Sequence, residues 1–168
     1  DFSEYLVNAA FRSTEKLRLV SVDSIVTWSK ALVNTGASNQ VVLQLESGET
    51  VSYNLNADWT VDEWRSLSGR VADLKSAYKQ LAVRPSDKHF SVIAVKTAAR
   101  KVSFFRALSL MFGETAAVYN FVRITRAISH VANKVFGLIV GEYFDDFSQV
   151  TQRCLEESDQ ACLEWLLE

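Results

Sequence analysis

The chain has 168 residues, 48% of them apolar and 23% charged, which is enough for one well-buried core and short for two. Its net charge of −2 and pI near 5.8 argue against a protein that grips a polyanion through overall charge, unless its basic residues are segregated. Arg123, Arg126, His130 and Lys134 interrupt the longest apolar candidate for a membrane span and no signal peptide opens the chain, so an intracellular protein without a membrane segment is expected, cytoplasmic or nuclear.

In chain order, Ser21 to Val33 reads as a helix with Ile25, Trp28 and Leu32 on one side. Gln40 to Leu45 and Thr50 to Leu55 are β-rich runs flanking Glu46-Ser47-Gly48-Glu49, a hairpin signature. Thr60-Val61-Asp62-Glu63 has the spacing of a capping box and predicts a short helix through Trp64 to Leu67. Val71 to Leu74 reads as a strand, Lys75 to Leu81 as a turn or short helix, and Phe90 to Lys96 and Lys101 to Ala107 as strands joined by Thr97 to Arg100. A long helix runs from about Thr115 to Phe136, ended by Gly137 where a left-handed residue is wanted. Leu138 to Phe144 and Phe147 to Thr151 form a hairpin, and Ser158 is placed to cap a last helix, Asp159 to Leu167.

Along the long helix, Ala117, Phe121, Ile124, Ile128, Val131 and Val135 step by four and three and predict the buried stripe. Arg123, Arg126, His130 and Lys134 form a basic ridge, either a solvated face or a contact for phosphates or another domain. Cys154 and Cys162 have no companion pair, so neither a zinc site nor a disulfide framework is expected; buried or half-buried free thiols are.

Tyr143-Phe144-Asp145-Asp146-Phe147 carries the chemistry. Two adjacent carboxylates at the end of an apolar run need a partner, and a metal ion best tolerates several acids at close quarters; taken alone, the pair also reads as a solvated hairpin turn. Upstream, Val71-Ala72-Asp73-Leu74-Lys75-Ser76-Ala77-Tyr78-Lys79-Gln80 ends a short apolar segment in an acid, 72 residues before Asp145. Between them, Leu110-Met111-Phe112-Gly113-Glu114-Thr115-Ala116-Ala117 is a glycine turn running into the long helix.

In that order the three stretches resemble motifs A, B and C of a reverse transcriptase palm, and Asp1-Phe2-Ser3-Glu4-Tyr5-Leu6-Val7-Asn8 with Thr14-Glu15-Lys16-Leu17-Arg18 is similar to the fingers segment of tyrosine-recombinase (DIRS-like) retrotransposon enzymes and related protist sequences. The resemblance implies an α+β fold: the antiparallel sheet of a polymerase palm with packing helices, plus part of a fingers subdomain. Residues 1–69 would be the fingers-like portion and 70–168 the palm, in one compact domain lacking the thumb. It implies RNA-directed DNA synthesis by two-metal nucleotidyl transfer with Mg2+, or Mn2+ in its place, on an RNA or DNA template with primer and deoxynucleoside triphosphates, the thumb and ribonuclease H regions belonging to the rest of a retroelement polyprotein.

Under that resemblance Asp73 and Asp145 would bridge the metals, the Leu74 carbonyl would add a ligand and Asp146 would assist. Ideal strand alternation points Asp145 and Asp146 to opposite faces, so the turn must distort that pattern if both serve metals. Tyr78 would be the steric gate that excludes a ribose 2′-hydroxyl, unless it is simply a core tyrosine. Phe112 and Gly113 would let the backbone approach the nucleotide; Met111 stands where the family usually has proline, which loosens that loop. Alternatives from other classes are a catalytically silent palm acting as a nucleic-acid or protein interaction module, a viral RNA-dependent RNA polymerase, and an unrelated α+β domain with coincidental motifs.

Overall fold

The computed structural model describes residues 8–10, 16–35, 40–44, 47–54 and 57–168. The fingers-like residues before Asn8 and Thr14 and Glu15, with Leu45, Glu46 and Leu55 of the first hairpin, lie outside the described residues. The fold is α+β with antiparallel sheets. The chain divides into two compact units: a sheet unit, Leu19–Asp73 with Arg126–Glu168, and a ribbon unit, Asp1–Arg18 with Leu74–Thr125. Residues 69 and 70 fall inside a strand whose whole length pairs with the C-terminal hairpin.

In the sheet unit, helix α1 (Val22–Thr35) starts after Ser21, whose hydroxyl accepts from the Ser24 N–H, and half-buries Ile25, Trp28 and Leu32 as their spacing predicts. Strands β1 (Gln40–Gln44) and β2 (Thr50–Asn54) pair as the expected hairpin, with Gly48 at φ 83° in the turn. Helix α2 (Val61–Arg65) opens on a complete capping box: the Thr60 N–H donates to Glu63 at 2.8 Å and the Thr60 hydroxyl accepts from the Glu63 N–H. Bonds donated to it by the Thr60 N–H and hydroxyl hold the Glu63 carboxyl below its usual range.

Strand β3 (Leu67–Asp73) begins four residues before the expected start, since Ser68-Gly69-Arg70 looks like a break but is held by pairing with β7 (Asp146–Gln152). Strand β6 (Ile139–Tyr143) pairs on the other side of β7, giving the order β3-β7-β6. Helix α4 (Glu156–Leu167) follows a short 3-10 turn and begins three residues before the expected start; Ser158 does not cap it but donates to the Leu155 carbonyl from inside the first turn. Cys162 is half-buried as expected, whereas Cys154 is exposed because that turn carries it outward.

Two helices cover the face of this sheet that carries Val140, Glu142, Phe147, Gln149 and Thr151. Asn133, on helix α3 (Thr115–Val135), holds both the N–H and the carbonyl of Val140, at 3.1 and 2.8 Å. From α4, Asp159 takes bonds from Gln149 and Thr151, and Glu164 pairs with Arg70 at 3.6 Å. The other face carries Gly141, and α1 approaches it so closely that a Cβ there would lie 2.5 Å from Val20 and 2.6 Å from the Trp28 ring. Gly141→Ala is therefore expected to destabilise by about 1–3 kcal/mol through overpacking, read as a lower urea midpoint with unchanged slope.

Helix α3 starts and ends where expected, and Gly137 at φ 68° lets the Leu138 N–H return to the Ala132 carbonyl. Its buried side differs from the expected stripe. Ala117, Phe121, Val122, Thr125, Ser129 and Ala132 are buried, while Ile124, Val131 and Val135 are exposed. Thr125 tolerates burial because its hydroxyl bonds the Val122 carbonyl of its own helix, and small residues let the helix approach closely.

In the ribbon unit, Leu74 to Leu81 forms a turn into a 3-10 helix, Ala77–Gln80. Strands β4 (Val92–Lys96) and β5 (Val102–Arg106) form the predicted hairpin, with Arg100 at φ 58° in its tip.

Candidate metal and nucleotide site

The acids of the sheet unit are placed by strand register. Asp73 is the last residue of β3 and Asp146 the first of β7, and they are direct Cα partners; Tyr143, at the end of β6, is the partner of Asp146 on its other side. Cross-strand partners share a face with Cβ atoms about 4.5–5.5 Å apart, so Tyr143, Asp146 and Asp73 form one row at the end of the sheet. Asp145 lies in the two-residue turn Phe144–Asp145. Phe144 takes φ 56° while Asp145 keeps negative φ, the sense of a tight hairpin turn, though an aromatic there costs about 1–3 kcal/mol of backbone strain. The turn supplies the distortion that two adjacent acids at one strand end require. It pairs Asp146, rather than Asp145, with Asp73.

Asp73 is exposed and Asp145 and Asp146 are half-buried. Among the described residues none of the three carboxylates has a hydrogen-bond or ion-pair partner. Arg126 is engaged with buried Glu142 at 3.5 Å, and Glu142 faces the other side of the sheet. Hard oxygen donors in a row without a protein cation fit a divalent ion that keeps several waters. Among the described residues, however, no three His, Cys, Asp or Glu side chains converge as a finished metal-holding group. A groove of about 470 Å3 between α1 and the sheet, lined by Ile25, Ser29, Leu67, Val71, Ser148 and Val150, occupies the same face, and the Val71–Ser148 pair precedes the acid pair on it.

The other predicted residues belong to the ribbon unit. Leu74 is buried, and its carbonyl accepts from the Ala77 N–H at 3.0 Å, leaving a second lone pair. Ser76 and Ala77 both have left-handed φ, 65° and 34°, a strained turn straight after the motif acid. That turn delivers Tyr78 into the core, 6% exposed, with its ring centroid 4.4 Å from that of Phe121 and 4.8 Å from that of Phe112. Tyr78 and Phe112, 34 positions apart, are thus brought together; Phe112 remains 65% exposed over its partner.

No protein-family model and no curated protein matches the chain.

Gly113 has φ 85°, which only glycine adopts without strain. Two residues to which the sequence assigned no role act on the same loop. Asn8 donates to the Gly113 carbonyl and accepts from the Thr115 N–H, both at 2.9 Å, closing the loop onto the start of α3. Glu114 is partly buried, which raises its carboxyl above the ordinary range. A lone Asn more than a hundred positions upstream gives no local signal; Glu114 stood inside the quoted motif and was legible only as a spacer. Among the described residues no helix is long and apolar enough to cross a membrane.

Proposed function

We propose that the chain is the fingers and palm part of an RNA-directed DNA polymerase from a retroelement, carrying out template-directed nucleotidyl transfer. The observation that carries the reading is the register match of Asp73 with Asp146 at the end of three strands, with Asp145 in the adjoining turn. Acids from two sequence motifs thereby share one row, and among the described residues none of them is in an ion pair.

Asp73 and Asp146 would hold Mg2+, or Mn2+, with Asp145 as a further ligand. The bound ions supply charge neutralisation for a triphosphate and activation of a 3′-hydroxyl. The chain's own groups supply placement. Tyr78, held by Phe121 and Phe112, would be the steric gate for a sugar 2′ position, and Gly113 has the backbone freedom that a close approach to a nucleotide would need.

The test is single-nucleotide incorporation on a primed RNA template with Mg2+. Deoxynucleotides are expected to be added and ribonucleotides far less; the reverse preference would favour an RNA polymerase. A second reading, a catalytically silent palm that binds nucleic acid, draws on the lack of a finished three-residue metal group among the described residues. It is the correct one if no nucleotide is incorporated while Asp145→Asn and the native chain bind template equally.

A further inference from the structure

From Lys88 to Gly113 the sequence contains no Asp or Glu, yet it carries Lys88, Lys96, Arg100, Lys101 and Arg106. Those five positive charges sit in a chain of net charge −2, so the remainder carries −7. The basic residues are therefore segregated, and the element that holds them is the β4–β5 ribbon. None of the five is in an ion pair among the described residues.

The register orders the side chains of this ribbon. Val92 pairs with Arg106, Ala94 with Phe104 and Lys96 with Val102, so these six share one face. Along it Arg106, Phe104 and Lys96 run in a diagonal line, a cation on each side of an aromatic ring. Small Ala94 stands opposite Phe104 and leaves the ring 73% exposed. Arg100 and Lys101 continue the charge into the tip. Phe105 on the other face is 55% exposed and Phe90 at the root 70%. A two-stranded ribbon with bare faces is marginal alone, and large exposed aromatics flanked by unpaired cations are costly unless something docks there.

We propose that the β4–β5 ribbon binds single-stranded nucleic acid, with Phe104 stacking on an unpaired base and Lys96, Arg100, Lys101 and Arg106 holding consecutive phosphates. Charge complementarity selects a polyanion, and the alternation of an open ring with cations selects one whose bases are free to stack over one whose bases are paired. The proposal goes beyond the polymerase reading: it gives the nucleic acid a surface that contains none of the metal-site acids.

The experiment is fluorescence anisotropy with a labelled oligouridylate over a salt series, using the native chain, Arg100→Glu/Lys101→Glu, Phe104→Ala and Glu49→Gln. The native chain is expected to bind with an affinity that falls steeply with salt. The charge-reversal variant should lose about tenfold or more in affinity and show a shallower salt slope. Phe104→Ala should lose roughly tenfold with the slope kept, and both substituted sites are exposed, so circular dichroism should be unchanged. Glu49→Gln, exposed and outside both the ribbon and the metal-site acids, should bind as the native chain does, and the losses in the ribbon variants should appear whether or not the chain extends primers, which separates this proposal from the polymerase reading. Equal binding by all four proteins overturns it. So does equal affinity for single-stranded and duplex RNA, or self-association that Phe104→Ala abolishes in sedimentation while oligouridylate binding is unaffected.

Discussion

Asp73→Ala or Asp146→Asn is expected to abolish divalent-ion binding by the sheet unit, and the double variant should be no worse than either single one. The two carboxylates are direct strand partners, so under the proposed chemistry one ion is shared between them. Once one ligand is gone, the second has little left to hold, and effects of groups acting as a unit do not add. Incorporation should fall by a factor on the order of 10³, since a metal contributes several kcal/mol of transition-state stabilisation and each ~1.4 kcal/mol is tenfold. Titration with Mn2+ followed by electron paramagnetic resonance reads the binding directly. Additive losses, or binding retained in Asp73→Ala, would show that the two acids serve no common ion.

Phe147→Ala is expected to cost about 3–5 kcal/mol of stability. Phe147 is wholly buried, follows Asp146 and lies between Ala72 and Glu142 on the helix-covered face of the sheet. The void left by its ring is bordered by strands held in register on both sides, so it cannot collapse cheaply. For a chain of this size the melting temperature should fall by roughly 10 °C. Because Phe147 also fixes which residues of β7 face outward, the divalent affinity of the surviving folded protein should weaken. A loss below about 1 kcal/mol would mean that β7 is not packed as described.

Much of this fold could be read from the residues, for identifiable reasons. The capping box, the glycine ending α3 and the paired hairpins each depend on neighbours within a few positions, where side-chain chemistry alone decides the outcome. The face of α3 was misjudged because apolarity is a poor guide when Thr125 and Ser129 are buried and Ile124 and Val131 are not. The start of β3 was hidden by Ser68-Gly69-Arg70, which owes its strand conformation to β7. At the site, the acids themselves were legible, but the match of Asp146 with Asp73 follows from the turn at Phe144, whose left-handed conformation no residue preference announces. The clamp by Asn8 lies 105 positions from Gly113 and could only be seen in three dimensions.

The sheet unit is built from two stretches of chain, Leu19–Asp73 and Arg126–Glu168, and its edge strand β3 closes on β7. During synthesis β3 therefore leaves the ribosome well before the strand that completes it, and must wait, unpaired, through the translation of residues 74–145. Pairing at such sequence distance is intrinsically slow. A nascent polypeptide stopped anywhere before Asp146 would present that strand to chaperones and to other copies of itself, so its yield in cells should depend on chaperone supply more than its final stability would suggest.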